Sequence, residues 1–172
     1  MKTTAIAPWY GSARMNAEKI AARINAFNPK WVGIPFCGGC SEVPWIKCGQ
    51  ILAGDVHRHV INLCQVLASP GYGQILRDRV EGLLFHPDTL SEARRFIEHV
   101  EYMLPKENAA DYIAAKKIEW AAAYFTNCWM SRSDAGSSRE FDNGMSIRFT
   151  ATGGGSLTRW QSAIEAIDEW NK

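Results

Sequence analysis

The sequence lacks a basic excess, a long apolar run and an export signal. Its 172 residues carry 19 Lys and Arg against 18 Asp and Glu, a formal net charge of +1. Dedicated nucleic-acid binders often have a clear basic surplus, so total charge does not indicate such a partner. No apolar run reaches the roughly 20 residues that span a bilayer, and the first eight residues are too poor in apolar side chains for a secretory signal. These absences predict a cytoplasmic protein with no membrane partner.

The chain has few cysteines, and their number is odd. Five cysteines in a protein without an export signal are expected to be reduced thiols, so disulfides are not predicted. The hydrophobic fraction of 47% and the charged fraction of 22% are ordinary for a globular protein. We therefore expect a packed core rather than a disordered chain.

Hydrophobic periodicity predicts alternating helices and strands before residue 70. Residues 15–27 have the pattern of an amphipathic helix, with Ile20, Ile24 and Phe27 on one face. Two short apolar runs predict buried strands, one over 31–36 and one over 51–53 that ends at Asp55. A second helix is predicted over 57–68, with four apolar residues on one face: Val60, Ile61, Cys64 and Leu67.

After residue 70 the pattern becomes helical. Residues 74–130 are predicted to form helices, one of them N-capped by Asp88 or Thr89. A polar, glycine-rich stretch follows, with a predicted strand over 146–150. A last amphipathic helix starts near Ser156 and places three apolar residues on its face: Trp160, Ile164 and Ile167. We place a boundary near residue 70, between a 1–70 unit and a helical 71–172 unit.

The chemistry is concentrated in a strand, a glycine-rich turn and a second strand that ends in an acid. The turn is Phe36-Cys37-Gly38-Gly39-Cys40 and the acid is Asp55. In nucleotide-binding proteins such glycines let the backbone approach the ligand, and the acid accepts hydrogen bonds from a ribose diol. Adjacent glycines after an apolar run also form ordinary tight turns. The pattern alone leaves both interpretations open.

Ordered sequence blocks along nearly the whole chain resemble those of Dam-like DNA adenine methyltransferases, above all phage and prophage members. The blocks are Pro8-Trp9-Tyr10-Gly11-Ser12, Pro35-Phe36-Cys37-Gly38-Gly39, Asp55-Val56-His57-Arg58-His59-Val60-Ile61-Asn62-Leu63, Phe85-His86-Pro87-Asp88, Trp120-Ala121-Ala122-Ala123-Tyr124-Phe125, Trp129-Met130-Ser131-Arg132, Ser146-Ile147-Arg148-Phe149 and Gly153-Gly154-Gly155.

The resemblance implies an α/β fold with a partial Rossmann-like S-adenosylmethionine-binding sheet and a mostly helical insertion. It assigns the S-adenosylmethionine pocket to six residues: Tyr10, Gly11, Phe36, Gly38, Gly39 and Asp55. Residues 1–70 would be the cofactor-binding half-domain, and 71–172 would carry target recognition on double-stranded DNA. Phosphate contact is one interpretation of Arg132, Arg139 and Arg148, and solvated surface is the other.

Two departures from the family pattern bear on activity. The first block usually reads Gly-Gly-Lys, whereas this chain has Gly11-Ser12-Ala13 with Arg14 beside it. The catalytic Asp-Pro-Pro-Tyr motif, which holds a flipped adenine, occurs nowhere in the sequence. We therefore expect the isolated chain to be inactive. It would be a truncated or split methyltransferase that pairs with a second polypeptide or with itself, or else a non-catalytic DNA- or cofactor-binding remnant or regulatory subunit.

A zinc site is the competing interpretation of the cysteines. Cys37 and Cys40 form one Cys-x-x-Cys pair, with Cys48, His57 and His59 further along. The second pair of ligands is not at a standard spacing for a zinc knuckle. We expect no bound metal, and no redox role for the pair because no thioredoxin-like pattern surrounds it.

Overall fold

A computed structural model describes residues 5–9, 11–104, 109–132, 144–147 and 155–170. Its elements, in chain order, are α1 (Ala17–Asn25), β1 (Trp31–Pro35), β2 (Gln50–Gly54), α2 (Arg58–Ala68), α3 (Tyr72–Glu81), α4 (Pro87–Met103), α5 (Ala109–Met130) and α6 (Ser156–Trp170). Single turns of 3-10 helix lie at Ala13–Met15 and Val43–Trp45. Within the described residues the fold is therefore mostly helical, with a small sheet near its start.

The sheet consists of β1 and β2, which run parallel. Their register pairs Trp31 with Gln50 and Pro35 with Gly54. The ladder continues one step past the strands, because the backbone N–H of Cys37 donates to the carbonyl of Gly54 at 2.9 Å. Both strands therefore end at the same edge of the sheet. Ligands of open α/β sheets bind at that carboxyl edge.

Helix α5 is the centre of the core and packs against α2, α3, α4 and α6. Every residue from Trp120 to Met130 is buried, so this half of the helix is surrounded by protein on all sides. Its aromatic residues are part of the core, since each is at most 4% exposed: Trp120, Tyr124, Phe125 and Trp129. The predicted apolar face of α6 is confirmed in the same way, with Trp160, Ile164 and Ile167 buried.

Several helices and strands form as predicted, but the residues predicted to be buried on them are not all buried. Helix α1 buries Ala17 and Ala21 instead of its larger residues, and Phe27 lies beyond the helix end with 85% of its surface exposed. The strands are not buried either, because every second residue is exposed, including Trp31 and Leu52 at 66% each. The described residues thus leave one face of the sheet uncovered. The apolar composition of the strands does not reveal this. In α2 the face is only partly as predicted, since Val60 and Leu67 are buried while Ile61 and Cys64 are intermediate.

Two further predictions about local structure need correction. Helix α4 is capped by His86, whose Nδ1 accepts the backbone N–H of Asp88, with Pro87 in the first turn; neither Asp88 nor Thr89 is the cap. Residues 146 and 147 of the predicted strand belong to no strand. An isolated antiparallel bridge joins Ser131 to Met145 instead, and the Ser146 N–H donates to the Met130 carbonyl at 2.7 Å. Residues 148–150 lie outside the described part of the chain.

One core contains residues from both sides of the predicted boundary at residue 70. It joins Val60 and Leu63 of α2 to Leu76 of α3 and Ile97 of α4. Arg94 of α4 also connects to α5, because its Nε donates to the side-chain oxygen of Asn127 at 3.0 Å. Among the helices that the structure describes, none combines the length and apolar character needed to cross a bilayer.

Candidate functional site

The turn after β1 has an unusual backbone. Phe36, Gly38 and Cys40 all have positive φ, at 60°, 49° and 49°. A bulky residue with positive φ is strained, and such strain persists only where surrounding contacts fix it. A hydrogen bond of 2.8 Å from the Cys40 N–H to the Cys37 carbonyl closes the turn. The five residues 36–40 therefore form one tightly specified loop at the carboxyl edge of the sheet.

The two glycines of this turn allow a close approach of the N-terminal segment. A Cβ at Gly39 would lie 2.7 Å from the Ala7 carbonyl oxygen, and one at Gly38 would lie 2.9 Å from Nε1 of Trp9. Neither position has room for a side chain. The glycines are thus required for packing against residues 7–9, a reason distinct from the ligand approach inferred from the sequence.

Helix α5 holds that N-terminal segment in place. The indole N–H of Trp129 donates to the backbone carbonyl of Ile6 at 3.1 Å, and both groups are buried. Ala7, one residue further on, is fully buried against the core. The helical half of the chain therefore positions the segment on which the glycine turn rests.

Asp55 joins the turn to the start of α2. Its Oδ2 accepts the backbone N–H of Gly38 at 2.9 Å, and its Oδ1 accepts the backbone N–H of His57 at 2.9 Å. The carboxylate thus bridges the loops that follow the two parallel strands. Hydrogen bonds to an ionised acceptor are stronger than neutral ones, so this bridge fixes the relative position of the two loops.

Two depressions open on either side of Trp9, which lines both. The first, of about 240 Å³, is lined by Gly11, Phe36, Gly38 and Gly39, all four of which the sequence assigns to a cofactor pocket. The second, of about 500 Å³, is lined by Asp55 and His57 among others. Four of the predicted pocket residues therefore share one depression, and Asp55 lines the other while it accepts the Gly38 N–H. Tyr10 lies outside the described residues.

A cluster of aromatic and histidine side chains lies beside the larger depression, which His57 and His59 line. His59 is 4% exposed, its Nδ1 accepts the indole N–H of Trp120 at 2.7 Å, and its Nε2 lies 2.9 Å from Oε1 of Glu101. Because Nδ1 is an acceptor, the neutral ring carries its proton on Nε2 and donates it to Glu101. Burial lowers the pKa of His59, against the opposing effect of Glu101. The ring of His59 also stacks on Tyr124 with centroids 5.5 Å apart.

Three thiols meet beneath the turn, and the sequence prediction missed one of them. Cys64 of α2 places its Sγ 3.5 Å from the Sγ of Cys40. Interactions with the thiols of Cys40 and Cys64 lower the pKa of Cys37, and the interaction with Cys37 raises the pKa of Cys64 to about 12. The helical periodicity that places Cys64 on the inner face of α2 was the available signal.

The zinc alternative has no ligand set in the described part of the chain. No group of three or more His, Cys, Asp and Glu side chains is arranged there to hold a metal ion. Cys48 lies apart from the three clustered thiols and donates to the Gln50 carbonyl at 3.2 Å. His57 and His59 face the aromatic cluster rather than the cysteines.

Of the three arginines considered for DNA contact, only Arg132 lies within the described residues. It is exposed at the end of α5, and its backbone N–H donates to the Gly144 carbonyl at 2.8 Å. Arg139 and Arg148 fall in the segments that the structure does not describe. The DNA-binding role of all three stays a prediction.

Comparison with known proteins gives no further identification. No family model, no curated protein and no solved structure matches this chain.

Proposed function

We propose that this chain is the S-adenosylmethionine-binding part of a DNA adenine methyltransferase, with a Rossmann-like arrangement at its β1–turn–β2 unit. The observation that carries the proposal is the bond between Gly38 N–H and the Asp55 carboxylate, at the carboxyl edge of two parallel strands. A glycine turn and an acid in this relation are typical of sites that bind a nucleoside. The sequence blocks that resemble those of Dam-like methyltransferases favour S-adenosylmethionine among nucleoside ligands.

The free hydrogen-bonding groups fit such a cofactor. A carboxylate has about four acceptor positions, and the backbone N–H groups of Gly38 and His57 use two of those on Asp55. Two remain for the two hydroxyls of a ribose. Ser41 lines the smaller depression and is 1% exposed, and its hydroxyl has no hydrogen-bond partner among the described residues. A buried hydroxyl in that state favours a polar ligand, because leaving it unsatisfied is costly.

The role of this chain in the reaction is to bind and orient the cofactor. When bound, S-adenosylmethionine supplies an electrophilic methyl group on its sulfonium, and the enzyme mainly positions it in line with the adenine amino nitrogen. Asp55 would hold the ribose, and the 36–40 turn would close over the remainder of the cofactor. The group that holds the adenine is not among these 172 residues, which contain no Asp-Pro-Pro sequence. Catalysis is therefore assigned to this chain together with a segment that carries that motif.

The free edge of β1 is where we expect that segment to pair. Within the described residues β1 pairs with β2 alone, so its other edge presents unpaired backbone groups. Trp31 adds exposed apolar surface beside that edge. Unpaired edges next to apolar surface favour association. We propose that a strand leading into Asp-Pro-Pro-Tyr pairs here, from a second polypeptide or from another part of the same protein.

Calorimetric titration with S-adenosylmethionine and S-adenosylhomocysteine tests the cofactor assignment. Asp55→Ala is expected to weaken binding by about 1.5–3 kcal/mol through the loss of charge-assisted hydrogen bonds. Ser41→Ala, which leaves the Asp55 bridge intact, is expected to weaken it by about 1 kcal/mol. The exposed Glu18→Gln variant is a control with unchanged affinity. Equal binding by parent and Asp55→Ala, each shown to be folded, would contradict the ribose role.

Methyl transfer separates the split enzyme from the non-catalytic alternative. Labelled S-adenosylmethionine and adenine-containing duplex DNA are incubated with the chain alone, and then with a second polypeptide that carries Asp-Pro-Pro-Tyr. We expect transfer only in the mixture. Transfer by the chain alone would contradict the assignment of the adenine-holding group, and cofactor binding without transfer in either case would favour a remnant or regulatory subunit. Arg132→Ala in a DNA-binding titration tests the predicted phosphate contact.

A further inference from the structure

The three clustered thiols are placed for chemistry with one another. The Sγ atoms of Cys40 and Cys64 are 3.5 Å apart, and a disulfide requires about 2.05 Å, so a closing movement of about 1.5 Å joins them. Cys37 precedes Cys40 by three residues in the same turn and lines the smaller depression. No disulfide links any of these cysteines in the structure.

We propose that Cys37, Cys40 and Cys64 form a thiol oxidation site, in which a peroxide drives formation of a Cys40–Cys64 disulfide and Cys37 is the initial nucleophile. The site is independent of the cofactor assignment, since it rests on the thiols alone. It also differs from a Cys37–Cys40 redox pair, which the Cys-x-x-Cys spacing would suggest, because the final disulfide includes Cys64 of α2.

Cys37 is the thiol suited to react first. Thiolates, not thiols, attack peroxides. Hydrogen bonds from Cys40 and Cys64 lower the pKa of Cys37, whereas the pKa values of its two neighbours are raised. The cluster therefore holds its first negative charge on Cys37. Cys37 is 5% exposed and lines the smaller depression, which is the route by which a small peroxide would approach it.

The proposed sequence is balanced in atoms and electrons. The Cys37 sulfur attacks one peroxide oxygen, the O–O bond breaks, and the leaving oxygen takes a proton from solvent to give water or an alcohol. The Cys40 sulfur then attacks the Cys37 sulfenic acid, and the S–O bond breaks to release water that includes the Cys40 thiol proton. Finally the Cys64 sulfur attacks Cys40, loses its proton to solvent and displaces Cys37. Two thiols lose two electrons in total, and the peroxide gains them.

The last exchange favours the Cys40–Cys64 product. Thiol–disulfide exchange is faster when the displaced thiol has a low pKa. Cys37 is that thiol, because its thiolate is stabilised by the cluster. Cys64 already lies 3.5 Å from Cys40, so the attacking sulfur is next to its target and has about 1.5 Å to close. The product ties the glycine turn to α2 across 24 residues of chain.

Peroxide treatment followed by peptide mapping tests the proposal. The full chain is exposed to hydrogen peroxide, the remaining thiols are alkylated, and a non-reducing digest is analysed by mass spectrometry. The expected product is one peptide pair joined through Cys40 and Cys64, reversed by dithiothreitol. Cys37→Ser is expected to slow its formation by on the order of tenfold or more, because the reactive thiolate is lost. Cys48→Ser, outside the cluster, is the matched control with an unchanged rate.

Three results would overturn the proposal. They are a Cys37→Ser variant that oxidises as fast as the parent, a stable product that joins Cys37 to Cys40, and oxidation of Cys37 without any disulfide. Mapping of the parent protein does not depend on whether variants fold. For the variants, far-UV circular dichroism establishes the fold, and Cys37→Ala replaces Cys37→Ser if the serine is not tolerated.

Discussion

Asp55 is the residue whose replacement tests the described site most directly. Its carboxylate receives the N–H groups of Gly38 and His57, each at 2.9 Å, and so connects the turn after β1 to the start of α2. Asp55→Ala leaves both N–H groups without this acceptor. The variant is therefore expected to lose stability even in the absence of any ligand.

The size of the loss follows from the two bonds. A hydrogen bond to a charged group contributes about 1.5–3 kcal/mol. The Asp55 carboxylate is only half-buried, and water replaces part of each bond, so the lower end applies and the expected loss is about 2–4 kcal/mol. For a chain of this length, that corresponds to a melting temperature lower by roughly 5–10 °C. Asp55→Asn keeps one acceptor oxygen and is expected to lose about half as much.

Urea and thermal unfolding followed by circular dichroism measure this loss. Asp78→Asn is a matched control, because Asp78 is exposed and accepts one side-chain hydrogen bond, from Gln74 at 2.7 Å, which an asparagine oxygen still accepts. Its effect is expected to stay within about 0.5 kcal/mol. An Asp55→Ala variant as stable as that control would refute the bridging role. It would also mean that the contacts of Asp55 are not what holds the strained backbone of the 36–40 turn.

Three further predictions concern packing, pH and metal. Gly39→Ala brings a Cβ to 2.7 Å from the Ala7 carbonyl and is expected to cost about 1–3 kcal/mol in urea unfolding, whereas Gly54→Ala has nothing within 4 Å of the new Cβ and should be nearly neutral. Burial lowers the pKa of His59 in the folded protein, so near that pKa the unfolded chain binds more protons than the folded one. The free energy of unfolding should therefore fall as the pH drops below about 6.5. The His59→Gln variant should show a weaker dependence on pH. Elemental analysis of protein purified without chelator should find no stoichiometric zinc, and one zinc per chain that is lost in Cys37→Ser would contradict this.

The order of local elements was readable from the sequence. The strand, glycine turn, second strand and acid have local signatures, and the structure has β1, a turn at 36–40, β2 and Asp55 in that order. The 3.6-residue pattern of α6 correctly placed Trp160 in the core. These features depend on residues close together in the chain, where periodicity and turn chemistry are sufficient.

The burial of individual faces was not readable in the same way. Phe27 and Trp31 are strongly apolar, yet they are 85% and 66% exposed. Hydrophobicity states which side chains gain from burial, but only the arrangement of neighbouring elements decides which of them are covered. The small alanines of α1, Ala17 and Ala21, are buried instead.

The sequence by itself thus determined the type and order of the helices and of the two paired strands, and the pairing of a glycine turn with an acid. The tertiary structure alone decided what surrounds them. The bond from Trp120 to His59 spans 61 residues, and the bond from Trp129 to Ile6 spans 123. The Cys40–Cys64 contact likewise joins a loop to a helix 24 residues away. Such contacts depend on how helices pack around α5, and no local pattern encodes that packing, because each side chain's partner is set by the combined geometry of the whole core.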